Sequence, residues 1–192
     1  EFVPHGPALT YFATAPMMHG AAMWATLISL LAGHTVVVND QPSFDAEHVW
    51  DIVVRDGVNI LSVVGDAMAL PLIRALEIQP GRWNLQHLRT FGNGGAVFSK
   101  HLQERLKALL PHISINNSMG SSEAGLVGGK ERPPGSDGML QMEPRPDLAV
   151  IDDELCIVTA PGSEGTLART GYTPIGYYGD PKKSAETFIT LS

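Results

Sequence analysis

"NILSVVGDAMALPLIRALEI", residues Asn59 to Ile78, decides the fold. Its opening "NILSVV" is a short uncharged run suited to a strand. Gly65 then breaks the run, and Asp66 is placed to cap the helix-like "AMALPLIRALEI". Pro71 falls inside that helix, where its missing N–H predicts a delayed start or a kink.

The neighbouring segments repeat the unit. "LTYFAT" (Leu9 to Thr14) reads as a strand, followed by the helix "GAAMWATLISLLA", which Gly33 stops. "TVVV" is a second short strand. Asp45 then caps the amphipathic helix "AEHVWDIVVRD", which ends at Gly57. "LRTFG" is a further strand, Ser99 caps "KHLQERLKALL", and "ISIN" follows as a strand. Strand–helix–strand alternation of this kind builds an α/β fold, a mostly parallel sheet with helices on both faces.

The character changes after Gly125. Gly and Pro crowd "GGKERPPGSDG" and "MEPRPD", and "LAVIDDELCIV" reads as a hairpin turning on Asp152-Asp153. "GYTPIGYYGDPKKSAETFI" ends in a short helix capped by Asp180, with Pro181 at its first position. We therefore expect an α/β subdomain over residues 1–130 and a smaller β-rich segment with a C-terminal helix over 131–192. No repeat occurs at any period.

Composition removes several classes of function. A 192-residue chain with 44% hydrophobic and 17% charged residues can fill a sizeable core. A net charge of −7 argues against a nucleic-acid partner, because phosphate binding needs clustered Lys and Arg. The single cysteine, Cys156, excludes an internal disulfide and fits a reducing compartment. From Tyr11 to Asn39 there is no Asp, Glu, Lys or Arg, yet Pro, His and Gly interrupt the run. Its apolar part is too short for a transmembrane segment. No stretch near the start has a signal-peptide pattern. The expectation is a cytoplasmic protein, with peripheral membrane association as the alternative.

In an open parallel sheet, ligands bind beyond the carboxyl ends of the strands. "APMMHG", "VGDAM", "GNGGAV" and "NSMGSSEAG" each follow an expected strand, so all four would share one edge. Each has a plain alternative. "GNGGAV" matches neither the dinucleotide fingerprint nor the P-loop and can be a simple turn. His19 can be a cap, and Glu123 can complement a helix N-terminus. The seven histidines and one cysteine show no zinc spacing, and no G-x-S-x-G elbow is present.

Together, the order "PMMHG", "GNGGAVF", "SMGSSE", "GYYGDPKKSAETF" resembles the AMP-forming acyl-CoA synthetases of the adenylate-forming superfamily. The match runs from His19 to Phe188. "VGDAM" and "GYYGDPKKSAETF" are most similar to the fatty-acid and sterol-side-chain ligases of that family.

The resemblance implies ATP, Mg²⁺ and coenzyme A as substrates and cofactor, beside a small carboxylic acid. It implies that Glu123 coordinates Mg²⁺ and that Ser122 contacts the α-phosphate, within a phosphate-binding stretch Ser118, Met119, Gly120, Ser121 and Ser122. Gly95, Ala96 and Val97 would line one adenine face, and Asn117 would lie near its amino group. Met119 stands where the family usually has Tyr, and a thioether covers a ring without stacking on it. His19, Gly65, Asp66 and Gly94 would border the acyl pocket, with His19 also counted among the catalytic residues beside Ser122 and Glu123.

The family's phosphate loop, ribose-binding Asp and C-terminal lysine domain are expected outside this sequence. The chain then corresponds to a central portion of the large N-terminal domain of an acyl-CoA ligase. By itself it is expected to be inactive and prone to self-association or homo-oligomerisation. Two alternatives stand beside this: an adenylate-forming enzyme with a different acceptor, and a non-catalytic interaction module that retains the fold.

Overall fold

The computed structural model describes residues 6–129 and 145–189. The Gly- and Pro-dense stretch 130–144, where the sequence places a boundary, lies outside the described residues, as do Pro4 and its neighbours at the start. The described residues fall into two compact units. One comprises 6–120 with 128–129, and the other comprises 121–127 with 145–189.

In order, the elements are β1 (Thr10–Ala13), α1 (Gly20–Leu31), β2 (Thr35–Val37), α2 (Ala46–Arg55), β3 (Ile60–Val63), α3 (Gly65–Ile78), β4 (Thr90–Gly94), α4 (Lys100–Leu109), β5 (Ser114–Ser121), β6 (Gly125–Gly128), β7 (Leu148–Ile151), β8 (Thr166–Arg169) and α5 (Pro181–Thr187). The fold is α/β. Six strands form one mostly parallel sheet in the order β2-β1-β3-β4-β5-β6, and β7 and β8 form a second, two-stranded sheet. β1 pairs in parallel with β2 and β3, β3 with β4, and β4 with β5.

Each helix of the first unit forms for a local reason. Asp45 Oδ1 accepts the N–H groups of Glu47 and His48 at 2.9 and 3.0 Å, so α2 starts where its cap predicts. Four apolar residues of α2, Val49, Trp50, Ile52 and Val53, are buried. They face α3, and Trp50 Nε1 donates to the Leu72 carbonyl at 3.0 Å. α3 in turn packs on α4. The core joins these three helices to Phe12, Leu61, Val63, Phe91 and Ile115 of the sheet. α1 packs on β1 and β2 and places no residue in that core.

Four local expectations are corrected. Pro71 does not delay α3, which begins six residues earlier at Gly65; only one intrahelical bond is forfeited there. The N-cap of α3 is Val64, and Asp66 lies inside the first turn. Ser99 is the N-cap of α4 but its hydroxyl makes no capping bond. The strand read as "ISIN" continues as far as Ser121, so most of "NSMGSSEAG" is strand and only Ser122–Ala124 is turn.

In the second unit the bend at Asp152 forms, with the Asp152 N–H donating to the Cys156 carbonyl at 3.0 Å. β7 takes its ladder from β8, antiparallel from Leu148↔Arg169 to Ile151↔Thr166, and also meets the local return at the bridge Ile151↔Ile157, where the Val158 N–H donates to the Val150 carbonyl at 2.9 Å. Asp180 caps α5 by accepting the Lys183 N–H at 2.9 Å. Among the described residues no helix is long and apolar enough to cross a membrane.

Candidate functional site

Because β1, β3, β4 and β5 run parallel, the turns after β1, β3 and β4 and the end of β5 share one edge. Asn93, in β4, ties three of these together. Its side chain is buried, its Oδ1 accepts the Gly65 N–H at 2.7 Å, and its Nδ2 donates to the Ala96 carbonyl at 3.0 Å and to Asn117 Oδ1 at 3.2 Å. Its own carbonyl accepts the Ser118 hydroxyl at 3.0 Å. In a buried setting every one of these polar groups must be paired, and the network pairs them.

Gly65 has a conformation that other residues avoid, φ +59°, and a Cβ there would stand 2.7 Å from Ala96 Cβ and 2.8 Å from the Val97 carbonyl oxygen. The turn after β3 therefore lies directly against "GGAV". The next N–H, of Asp66, donates to the Val97 carbonyl at 3.0 Å, and Asp66 Oδ1 accepts the Ser99 N–H at 2.7 Å. The Asp66 carboxylate is thus committed to the start of α4.

The sequence-predicted residues distribute as follows. Gly65, Asp66, Gly94, Gly95, Ala96, Val97, Asn117 and Ser118 come together around Asn93. Val97 and Met119 present exposed side chains, while the Asn117 amide is buried. His19, the exposed N-cap of α1, is not joined to that group: among the described residues no hydrogen bond links its ring to Gly65, Asp66 or Gly94.

Ser121, Ser122 and Glu123 belong to the second unit. Ser121 Oγ accepts the Ala124 N–H at 3.0 Å, which closes the turn that carries Glu123. Glu123 Oε1 accepts the Tyr177 hydroxyl at 2.6 Å. The Tyr177 phenol holds the Glu123 carboxyl below its usual range, helped by backbone and Ser121 hydrogen bonds. The same bond raises the Tyr177 phenol above its ordinary value. Glu123 is therefore an ionised, half-buried acid at neutral pH.

Two arginines brace the same turn. Arg169 donates to the Ala124 carbonyl, and Arg145 Nη1 donates to the Leu126 and Val127 carbonyls at 3.2 and 3.0 Å. Asp147 pairs with both arginines, at 2.5 Å to Arg145 Nη2 and 3.2 Å to Arg169 Nε.

Sequence reasoning missed Asn93 and Tyr177 as organisers of the site. Both sit inside quoted motifs, but the contacts span 28 and 54 residues and leave no local signal. Among the described residues no group of three or more His, Cys, Asp and Glu converges on a point. A cation here would meet one carboxylate, with hydroxyls nearby in sequence. That donor set fits Mg²⁺, which keeps waters and substrate phosphates in its shell and needs only one or two carboxylates. It does not fit a closed zinc site.

A family profile described as "AMP-binding enzyme" matches residues 2–178. The medium-chain acyl-CoA ligase Mig of Mycobacterium avium is 37% identical over 97% of this chain. The medium/long-chain-fatty-acid–CoA/3-oxocholest-4-en-26-oate–CoA ligase of Mycobacterium tuberculosis (strain CDC 1551 / Oshkosh) is 35% identical over 97%. The chain spans 34% of the length of each of these relatives. Among solved structures, a long-chain-fatty-acid–CoA ligase from Archaeoglobus fulgidus superposes with a TM-score of 0.75 at 22% identity, over 96% of this chain and 39% of that one. The profile match over most of the sequence, together with the parallel-sheet edge that carries its motifs, shows that the chain belongs to the AMP-binding enzyme family.

Proposed function

We propose that the full-length protein is an AMP-forming acid–CoA ligase for a hydrophobic carboxylic acid, fatty or sterol-derived, and that this chain supplies a central part of its nucleotide site. The observation that supports the reading is the identity, 37% and 35% over 97% of the chain, with two curated CoA ligases of those substrate classes.

In such a reaction a carboxylate oxygen attacks the α-phosphorus of ATP and pyrophosphate leaves. The thiol sulfur of coenzyme A then attacks the acyl carbonyl and AMP leaves. Gly95, Ala96 and Val97 offer backbone and a small side chain to one adenine face, and Met119 covers the ring with a thioether. Asn117 would face the adenine amino group. The stretch from Ser118 to Ser122 would run along the phosphates, with the Ser122 hydroxyl at the α-phosphate. Glu123 would hold Mg²⁺, which when bound neutralises phosphate charge. Gly94 and the turn Gly65–Asp66 would wall the acyl pocket through backbone, with His19 at its border. The 192-residue chain alone is expected to make no acyl-CoA, since binding energy is a surplus that vanishes when several contacts are missing.

Pyrophosphate exchange by the full-length protein, run with fatty acids of increasing length and a sterol-derived acid, tests the reading. AMP release that depends on coenzyme A reports the acceptor. Absence of exchange with every acid tried, in a folded protein that contains the flanking regions, would overturn it and favour an interaction module.

A further inference from the structure

Glu123 does not stand alone. Its turn is fixed at the main chain by Arg169 on the Ala124 carbonyl and by Arg145 on the next two carbonyls but one. Its side chain is fixed separately. Tyr177 donates to Oε1 at 2.6 Å and is itself anchored. The Tyr177 N–H donates to Ser184 Oγ at 2.7 Å, whose hydroxyl donates to the Asp180 carbonyl at 2.6 Å. The phenol ring packs at 5.5 Å between centroids against Phe188, and Lys183 Nζ sits 4.8 Å from its centre. Backbone and Ser121 hydrogen bonds add to the hold on the carboxylate, after that of the phenol.

We infer that Tyr177 is a positioning residue for Glu123: by holding Oε1 it orients the carboxylate and biases it toward ligating a divalent cation through a single oxygen. One-oxygen ligation suits a small octahedral ion that keeps its waters. It suits Ca²⁺ less well, because that larger ion fills its shell of about 6–8 oxygens partly with carboxylates bound through both oxygens. The tyrosine thereby contributes to the preference for Mg²⁺ over Ca²⁺. The inference rests on the reading of Glu123 as the cation's ligand.

The test is direct metal binding to the full-length protein, with a non-hydrolysable ATP analogue present. The free Mn²⁺ resonance signal is titrated, and Mg²⁺ and Ca²⁺ are then added as competitors. Tyr177→Phe keeps the ring packing and removes only the hydroxyl. It should weaken Mn²⁺ binding about tenfold, the scale of one charge-assisted hydrogen bond. It should also narrow the Mg²⁺/Ca²⁺ ratio, and saturating Mg²⁺ should restore kcat. Glu123→Gln separates the two ideas. If Glu123→Gln weakens binding and Tyr177→Phe does not, the positioning role fails and the ligand reading stands. If neither weakens it, both fail. A second measurement needs no tyrosine variant: the infrared difference spectrum on adding Mg²⁺, wild type minus Glu123→Gln. Carboxylate stretches split as for one-oxygen ligation are expected, and two-oxygen splitting would overturn the inference.

Discussion

The Ser99 N–H donates to Asp66 Oδ1 at 2.7 Å, so an acid in the first turn of α3 caps the start of α4. The serine expected to cap is the residue being capped, and among the described residues its own buried Oγ has no hydrogen-bond partner. Asp66→Ala should therefore cost about 1–2 kcal/mol, as for a lost N-cap. Ser99→Ala should stay within about 0.5 kcal/mol of wild type. Urea denaturation of both variants measures the difference, and the reverse ranking would sink the assignment.

Gly65 and Gly57 form a controlled pair. Both have left-handed backbone, φ +59° and +63°, but a Cβ at Gly57 meets nothing within 4 Å. Gly57→Ala should cost about 1–2 kcal/mol, the backbone penalty alone. Gly65→Ala adds a clash with Ala96 and the Val97 carbonyl, and should cost at least about 1 kcal/mol more. A larger residue at 65 is therefore expected to unseat the turn before it could shorten any acyl pocket. Equal losses in thermal melts of the two variants would show that the loop yields freely.

Asn93→Ala should be the most damaging single change on this edge. It strips the acceptor from the Gly65 N–H and the donor from both Ala96 and Asn117 in a buried setting. We expect a loss of about 2–4 kcal/mol. A double-mutant cycle with Asn117→Ala should return a coupling above about 0.5 kcal/mol. Additive behaviour would mean that the network is only a set of independent bonds.

Asp147 should give the second unit an acid limit. The Arg145 guanidinium bonded to it holds its carboxyl below the ordinary 3.8, with backbone and Arg169 assisting. A depressed pKa contributes stability above the unfolded value, and that stability is lost as pH falls through the folded one. The destabilisation caused by Asp147→Asn should thus be present near neutral pH and shrink below pH 3.8. Melting both proteins across that range checks it, and a gap that widens on acidification would reverse the sign.

Much of the α/β frame was legible because its signals are local. Asp45 and Asp180 cap as read, Gly33 and Gly57 follow the ends of α1 and α2, and the carboxyl ends of four strands meet on one edge. Signals that depend on partners were not legible. "NNSMGS" has little strand propensity of its own, yet it pairs with β4 through Asn93↔Asn117 and Gly94↔Ser118, and that pairing overrides composition. β8 has no marker until β7 supplies its ladder. The site's motif residues were read as a series along the chain. Within the first unit one buried amide joins its motif residues, and within the second one phenol holds Glu123; both are matters of distance in space, which spacing cannot report.

The contacts of Asn93 also say how this site can diverge. Positions 65, 93, 96, 117 and 118 depend on one another's backbone or side chain, so a change at one demands a matched change at another. The Val97 carbonyl is tied to the Asp66 N–H, but the side chains of Val97 and Met119, residues 74% and 39% exposed, carry no such obligation. Among descendants of this sequence, the first five should therefore co-vary as a block, while 97 and 119 drift separately. New ligand preferences can then accumulate on the lining while the frame that holds it is inherited whole.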